Sequence, residues 1–376
     1  MMPSRKSSSG SSWPTNSTCP ATEILGLNCP AVSVTIFGMD ETSTILLAHG
    51  GGGRLMEDLI RRVIVPHFGQ PDKPLLDAAR VSAGTQPLCF TTDSFVVRPL
   101  FFPGGDIGKL AVCGTVNDLA VSGARPLVLS LALIIEEGLP LADLQTILAS
   151  AAQAARQAGV SIVTGDTKVV EKGAADGLFI NTAGIGLPWE KARLGFERIA
   201  RGDRILINGT LGDHGMTILS KRGDIPFDGS LQSDCACLNG LIEELIEACG
   251  DGIKFLRDPT RGGLAAVLNE IASGAGVSIE IEEAALPVEP AVRAAAEMLG
   301  LDILHIANEG KAAVVVSEEA AGKALEVCRK HPLGKRAALI GRVSKSDDTP
   351  LVELCTRIGG RRIVPMPYGR DLPRIC

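Results

Sequence analysis

The strongest constraint on this chain is a punctuation pattern that occurs twice. A short apolar run, Thr44 to His49, ends at four consecutive glycines, Gly50, Gly51, Gly52 and Gly53, and a helix-like pattern with Leu55, Leu59, Val63 and Ile64 on one face follows. The run Ile205 to Asn208 likewise leads through Gly209-Thr210-Leu211-Gly212-Asp213-His214-Gly215 into a second helical stretch. A strand, a glycine-rich turn and a helix together present backbone N–H groups that can cradle a phosphate. The glycine spacing fits neither G-x-G-x-x-G nor the P-loop, so a phosphate cradle and a mobile loop both stay open for it.

Around these turns, strands and helices alternate in two halves. In the first, Pro87 to Thr92 reads as a strand ending at Asp93-Ser94, and Ile107 to Val121 as a helix whose Ala111, Gly114 and Ala120 permit close packing. Pro126 to Ile135 has the continuous apolar character of a fully buried strand. Leu141 to Ala158 is an Ala-rich helix stopped by Gly159, a short strand Ser161 to Val163 enters the turn 164–168, and Leu178 to Ile185 closes the half. In the second half the strands are Val277 to Ile281, Ala312 to Val316 and Ala337 to Val343; the helices are Cys235 to Ala248, Leu264 to Ala272, Val288 to Leu299 and Glu319 to Cys328. The length of 376 residues suits two domains. We divide the chain into a disordered extension 1–43, an N-terminal nucleotide-binding domain 44–195, a C-terminal α/β domain 196–345 and a flexible tail 346–376. Met39 precedes the first organised segment, so residues 1–38 read as a dispensable extension.

Composition excludes several classes. A net charge of -6 argues against general nucleic-acid binding. No apolar run approaches the ~18 residues that span a bilayer. The Ser-rich start lacks the apolar core of a secretion signal. The ten cysteines form no C-x-x-C pair and no zinc spacing with histidine, so they read as reduced thiols in the cytoplasm.

Asp93, Asp118, Asp166 and Asp258 stand out by position, each beside a strand end, a glycine turn or a small-residue helix. Singly, each reads as a turn or capping residue rather than a ligand. Together, hard carboxylate oxygens with no histidine nearby suit Mg²⁺ spanning carboxylates and the phosphates of a nucleotide such as ATP. Asp77 is a weaker fifth candidate. The glycines 50–53, Asn117, Gly165 and Thr167 lie next to these acids and are the candidate nucleotide contacts. Lys168 and Glu309 are candidates for proton transfer, with an ordinary salt bridge as the alternative. Cys376 follows a stretch from Arg357 that is rich in proline, glycine and arginine, which argues against a helix or central strand. That makes it either a frayed end or a nucleophile on a flexible arm.

The stretches AHGGGGR (48–54), TTDSFVVRPLFFPGGDIGKLAVCGTVNDLAVSGARP (91–126), VTGDTKVVE (163–171), GTLGDHG (209–215), RDPTRGG (257–263), ANEGK (307–311), HPLGK (331–335) and the final PRIC, taken in order, closely resemble the HypE family of hydrogenase-maturation carbamoyl dehydratases. Gly51 stands where that family commonly carries serine. The resemblance implies a two-domain α/β (α+β) fold like that of aminoimidazole ribonucleotide synthetase, dimerising through its N-terminal sheet, with ATP in the interdomain cleft. It implies that Asp93, Asp118, Asp166 and Asp258 serve magnesium and phosphates. It implies that Cys376 receives a carbamoyl group from HypF, that ATP drives its dehydration to a thiocyanate, and that the cyano group passes to iron on the HypC–HypD complex for [NiFe]-hydrogenase. A small-molecule kinase or amidine synthetase of the same superfamily, and a nucleotide-gated scaffold, are the competing classes.

Overall fold

The computed structural model describes residues 46–68, 76–84, 86–223, 231–345, 349–369 and 374–376; the extension expected over 1–43 lies outside them. The first sheet contains β1 (Ala79–Ala83), β2 (Gln86–Phe95), β5 (Ala124–Glu136), β6 (Ser161–Val170) and β7 (Leu178–Pro188), in the order β1-β2-β7-β5-β6. A small hairpin, β3 (Phe101–Phe102) with β4 (Gly105–Asp106), precedes its main helix. Within this five-stranded sheet, only the β5–β6 pairing is parallel.

Two helices cover one face. The helix Ile107–Val121 starts on the Asp106 carboxylate, which accepts from the Gly108 and Lys109 amides at 2.8 and 3.1 Å and so satisfies two of the donors every helix start leaves open. It is buried almost all round, because the second helix, Leu141–Ala158, lies against its outer side. That helix buries Ile147, Ala151, Ala154, Ala155 and Ala158, the spacing of one helical face. It ends on left-handed Gly159, as its sequence predicts. The helices approach so closely that a Cβ on Gly108 would lie 2.3 Å from the Ile147 carbonyl oxygen.

The expectations for β5 and β6 need correction. β5 is apolar on both sides but buried on one: Leu129 and Leu133 enter the core, while Leu127 and Ile134 face outward. The sheet's outer face is uncovered, carrying Phe90 and Ile134 at 43% exposure each. The turn expected at 164–168 is instead the continuation of β6, a ten-residue edge strand. Gly165 suggests a turn, yet it serves strand pairing: a Cβ there would sit 2.1 Å from the Leu131 carbonyl oxygen.

The second sheet contains β8 (Arg204–Ile207), β9 (Ile253–Arg257), β10 (Ser278–Glu282), β11 (Ala313–Val316), β12 (Ala338–Ser344), β13 (Val352–Cys355) and β14 (Arg361–Ile363), in the order β14-β13-β10-β12-β8-β11-β9. It is covered on both sides, which β11 shows best. Ala313 and Val315 enter one core with the helix Gly263–Ala275, while Val314 and Val316 enter the other with the helices Asn239–Cys249 and Glu318–Lys330. Ala120 and Val121, at the end of the first unit's buried helix, belong to that second core, so the two units share apolar packing.

Three further expectations change. Leu47–Gly50 is a short 3-10 helix, not the end of a strand. The helix expected from Cys235 begins at Asn239, because Asn117 takes up the backbone before it. The tail expected from residue 346 supplies β13 and β14, and its end is docked: Val364 and Ile375 are buried. The charged β14 is an edge strand, a place proline- and arginine-rich sequence tolerates.

Candidate active site between the two units

Three carboxylates meet where the units join. Asp77 precedes β1, Asp118 lies near the end of the first buried helix, and Asp258 directly follows β9 of the second unit. Their ligand oxygens all lie within 4.8 Å of one another. Asp77 also forms an ion pair with Arg257 at 3.1 Å, and Arg257 reaches Glu270 at 3.0 Å. Burial first, then the charges of the neighbouring acids, push Asp118 well above the usual carboxylate range and Asp258 up to about 8. The Thr91 hydroxyl faces two acceptors, the Asp77 carbonyl oxygen at 2.7 Å and Asp118 Oδ2 at 2.9 Å, and its bond to Asp118 partly offsets the upward shift. A trio of hard oxygens held partly protonated by mutual repulsion fits a divalent cation, and Mg²⁺ is the ion such ligands prefer beside phosphates.

Asp93, on β2, points to the same side of the sheet. Burial raises its pKa, opposed by Arg261 and by the Ser94 amide at 2.7 Å. Glu309 is buried, and its Oε1 has no hydrogen-bond partner among the described residues. Burial, then the acidic groups around it, raise it well above the usual range. The loop holding Glu309 is rigid. Its amide and that of Gly310 donate to Asp234 at 3.2 Å each, and Lys311 pairs with Asp234 at 2.9 Å and with Asp213 at 3.7 Å. A Cβ on Gly310 would lie 1.9 Å from the Asp234 carbonyl oxygen, so only glycine fits there.

Cys376 reaches this same place. Burial and the charge of Glu309 raise its thiol pKa, with Arg261 acting the other way. Its backbone oxygen accepts from the Val96 amide at 3.2 Å. The arm is therefore docked against the site.

The other sequence candidates lie elsewhere. Asn117 is a structural tie: its amide donates to Ala236 and Glu309 carbonyls at 3.0 and 3.3 Å and accepts from Leu238 at 2.7 Å. The glycine turn packs rather than gapes. A Cβ on Gly53 would meet the Pro367 carbonyl oxygen at 2.1 Å, and one on Gly52, which has φ +75°, would meet Arg261 at 2.5 Å. The amides of Arg54 and Leu55, the first in the following helix, donate to Pro367 and Tyr368. Gly51 lines a pocket shared with Arg261, Ala307, Pro367 and Ile375, whereas Gly50 is exposed. Asp166, Thr167 and Lys168 are on the far edge strand. Asp93 shares a row with Thr182, Leu131 and Gly165, so β6 is about 14 Å away, three strand spacings. Asp166 and Lys168 pair with each other at 2.9 Å, at 63% and 68% side-chain exposure, and with Ala132 and Ile134 they sit on the sheet's outer face. Arg261, Asp234, Lys311 and His214 join the site without having been singled out in the sequence. Arg261 and Lys311 lie inside the RDPTRGG and ANEGK stretches, but Asp234 carries no local signal.

Comparison with known proteins bears on the family and the fold. Residues 76–187 match the AIR synthase related protein N-terminal domain, and residues 200–352 the corresponding C-terminal domain. The chain is 52% identical over 336 residues to the carbamoyl dehydratase HypE of Bradyrhizobium diazoefficiens, covering 88% of this chain and 95% of that one. Against the Escherichia coli protein of the same name it is 50% identical over 340 residues, covering 89% and 100%. Among solved structures, a HypE–HypF complex superposes with a TM-score of 0.77 at 51% identity, covering 82% of this chain and 99% of that one. A hydrogenase maturation protein HypE in complex with ATP gives 0.74 at 48%, covering 89% and 100%.

Proposed function

The chain belongs to the HypE family of carbamoyl dehydratases, and from that premise we propose that its substrate is its own Cys376, carbamoylated on sulfur. It is an ATP-using dehydratase of hydrogenase maturation. The observation that carries the assignment of Cys376 is its half-buried place within the charge field of Glu309, Arg261, Asp93 and Asp258.

The reaction balances as follows. The carbamoyl oxygen takes the γ-phosphoryl group of ATP, releasing ADP; the amide nitrogen gives up two protons; the C–O bond breaks and phosphate leaves with the oxygen. Sulfur keeps a C≡N group. Asp77, Asp118 and Asp258 would hold Mg²⁺, which neutralises charge on the phosphates during transfer. Arg261 adds a fixed positive charge against the tail. Glu309 takes a proton from the amide nitrogen; its raised pKa makes the carboxylate a stronger base towards that proton. Gly51, which lines a pocket with Arg261 and Ile375, supports placing the glycine turn at one wall of the nucleotide cleft. The cyano group is destined for the iron of [NiFe]-hydrogenase, passed on to a HypC–HypD complex.

The carbamoyl donor is a HypF-type partner, which the likeness to a HypE–HypF complex supports. Among the described residues no helix is long and apolar enough to cross a membrane, and we place the protein in the cytoplasm. Dimerisation through the first sheet is supported by its uncovered apolar face and by the bare edge of β6, where Val163 and Val169 are exposed. In such a dimer, Asp166, Thr167 and Lys168 serve the neighbour's site.

Mass spectrometry of the terminal peptide tests the assignment. Carbamoylated protein given Mg²⁺ and ATP loses the mass of one water from Cys376. A peptide that keeps its carboxamide through ATP turnover would overturn it.

A further inference from the structure

The docked arm is held by a hydrogen-bond chain that the chemistry of the site does not use. His214 Nε2 lies 2.8 Å from the Ile375 carbonyl oxygen, and Nδ1 lies 2.8 Å from Ser233 Oγ. The partners dictate every proton. A carbonyl can only accept, so Nε2 carries the hydrogen. Burial holds the ring below the usual histidine pKa, so it is neutral, and Nδ1 accepts from the Ser233 hydroxyl. Ser233 Oγ in turn accepts from the Cys235 amide at 3.1 Å. The Phe102 ring meets the imidazole edge-on, with centroids 5.4 Å apart, and fixes its plane.

We propose that His214 is the positioning residue for the reacting cysteine: its Nε2–H grips the peptide carbonyl immediately before Cys376 and sets where the modified sulfur stands in the cleft. This rests on Cys376 being the substrate. Other contacts hold the arm too, since Arg374 pairs with Asp176 and Arg222 donates to the Arg374 carbonyl. Those side chains reach solvent, where an ion pair constrains little. His214 is fully buried, and neither the imidazole nor the carbonyl can turn to water while the arm is in. The grip is also next to the reacting residue, leaving the Cys376 side-chain torsions as the main remaining freedom. Catalysis of this kind depends on placing the reacting atom within a fraction of an ångström. The His214 contact is one neutral hydrogen bond beside those of the Val96 and Arg98 amides to the Cys376 and Arg374 oxygens, and it is the one made by a buried side chain.

Two isosteres separate the ends of the ring. His214→Gln puts an amide N–H near the Nε2 position and keeps the hold on Ile375. His214→Asn reaches only the Nδ1 position, keeps Ser233 and loses the arm. In unmodified protein, iodoacetamide labelling of Cys376 followed by mass spectrometry should run about fivefold faster in His214→Asn, the worth of one net hydrogen bond. His214→Gln should label close to the wild-type rate. In carbamoylated protein, single-turnover dehydration should slow in the Asn variant and recover in the Gln variant, with ATP affinity equal in both. Equal labelling in all three proteins overturns the proposal, even with wild-type dehydration intact. Failure of the wild type to dehydrate overturns the assignment of Cys376 as substrate and leaves the labelling result standing. Should both variants fail to fold, nitrogen NMR of histidine-labelled wild type decides: a slowly exchanging Nε2–H on a neutral ring supports the grip, and an Nδ1–H tautomer or a charged ring refutes it.

Discussion

Replacing Asp258 by asparagine should stabilise the metal-free protein while abolishing its response to magnesium. Asp258 is 7% exposed and crowded by Asp77 and Asp118. Burial and then the Asp77 charge lift its pKa from 3.8 to about 8, with Arg257 opposing. The sign follows from linkage. An acid raised in the folded state favours folding fully only below its unfolded pKa, and that contribution disappears as pH rises through the folded value. At pH 7 the folded protein holds a proton that the unfolded chain has released, at a cost of about 4 kcal/mol, from ~1.4 kcal/mol per pH unit over roughly three units. Asparagine removes this cost and offers an N–H to the neighbouring acceptors, but buries a new amide at ~1 kcal/mol or more. The net gain is ~2–3 kcal/mol at pH 7, several degrees of melting temperature, and close to zero at pH 4. Thermal melts across that range, with and without magnesium, are the assay. Magnesium should stabilise the wild type increasingly as pH rises, because binding must displace protons, and should leave the variant where it was. A variant less stable than wild type at pH 7, or a difference that does not vary with pH, would refute the picture of mutually repelling carboxylates.

Two further substitutions probe the base and the glycine turn. Glu309→Gln should fold at least as stably as wild type, since it replaces a buried acid with no partner on Oε1, and should bind ATP while forming no thiocyanate in a peptide mass assay. Gly53→Ala forces the Pro367 carbonyl away from a Cβ it would meet at 2.1 Å, costing about 1–3 kcal/mol; faster labelling of Cys376 would show that the arm loosens with it.

The parts of the fold that were legible in the sequence are those where local chemistry and tertiary packing agree. The helix Leu141–Ala158 announces its buried face, and Gly159 its end, so its limits were readable to the residue. Asn117 is a nucleotide candidate in the sequence and a tie between the units in the structure: its side chain is buried in an apolar helix, and the partners it needs come from the second unit. Gly165 misled because a glycine demanded by a neighbouring carbonyl looks the same as one demanded by a turn. β5 misled for a different reason: its two apolar faces predict full burial, and one chain covers only one of them. Asp234 could not have been found, since its importance lies in Lys311 and the Glu309 loop, some 75 residues on.

A second copy laid against the uncovered sheet would account for both the β5 discrepancy and the position of Lys168, and the idea can be tested by activity. Lys168 sits on the uncovered face, three strands from the Asp93 row and on the opposite side of the sheet, so it cannot reach Glu309 in its own chain. If it takes part in the chemistry, it does so in a second copy laid against that face. Lys168→Ala and Cys376→Ser homodimers should each be inactive. After subunit exchange, a mixed dimer holds one site with the cysteine of the first variant and the lysine of the second. Thiocyanate should then appear, on the Lys168→Ala chain alone, in proportion to the mixed dimer measured by native mass spectrometry. Mixed dimers that form yet stay inactive would rule out action across the interface. A Lys168→Ala protein active by itself would remove the lysine from the reaction and leave the apolar face as the only ground for the dimer.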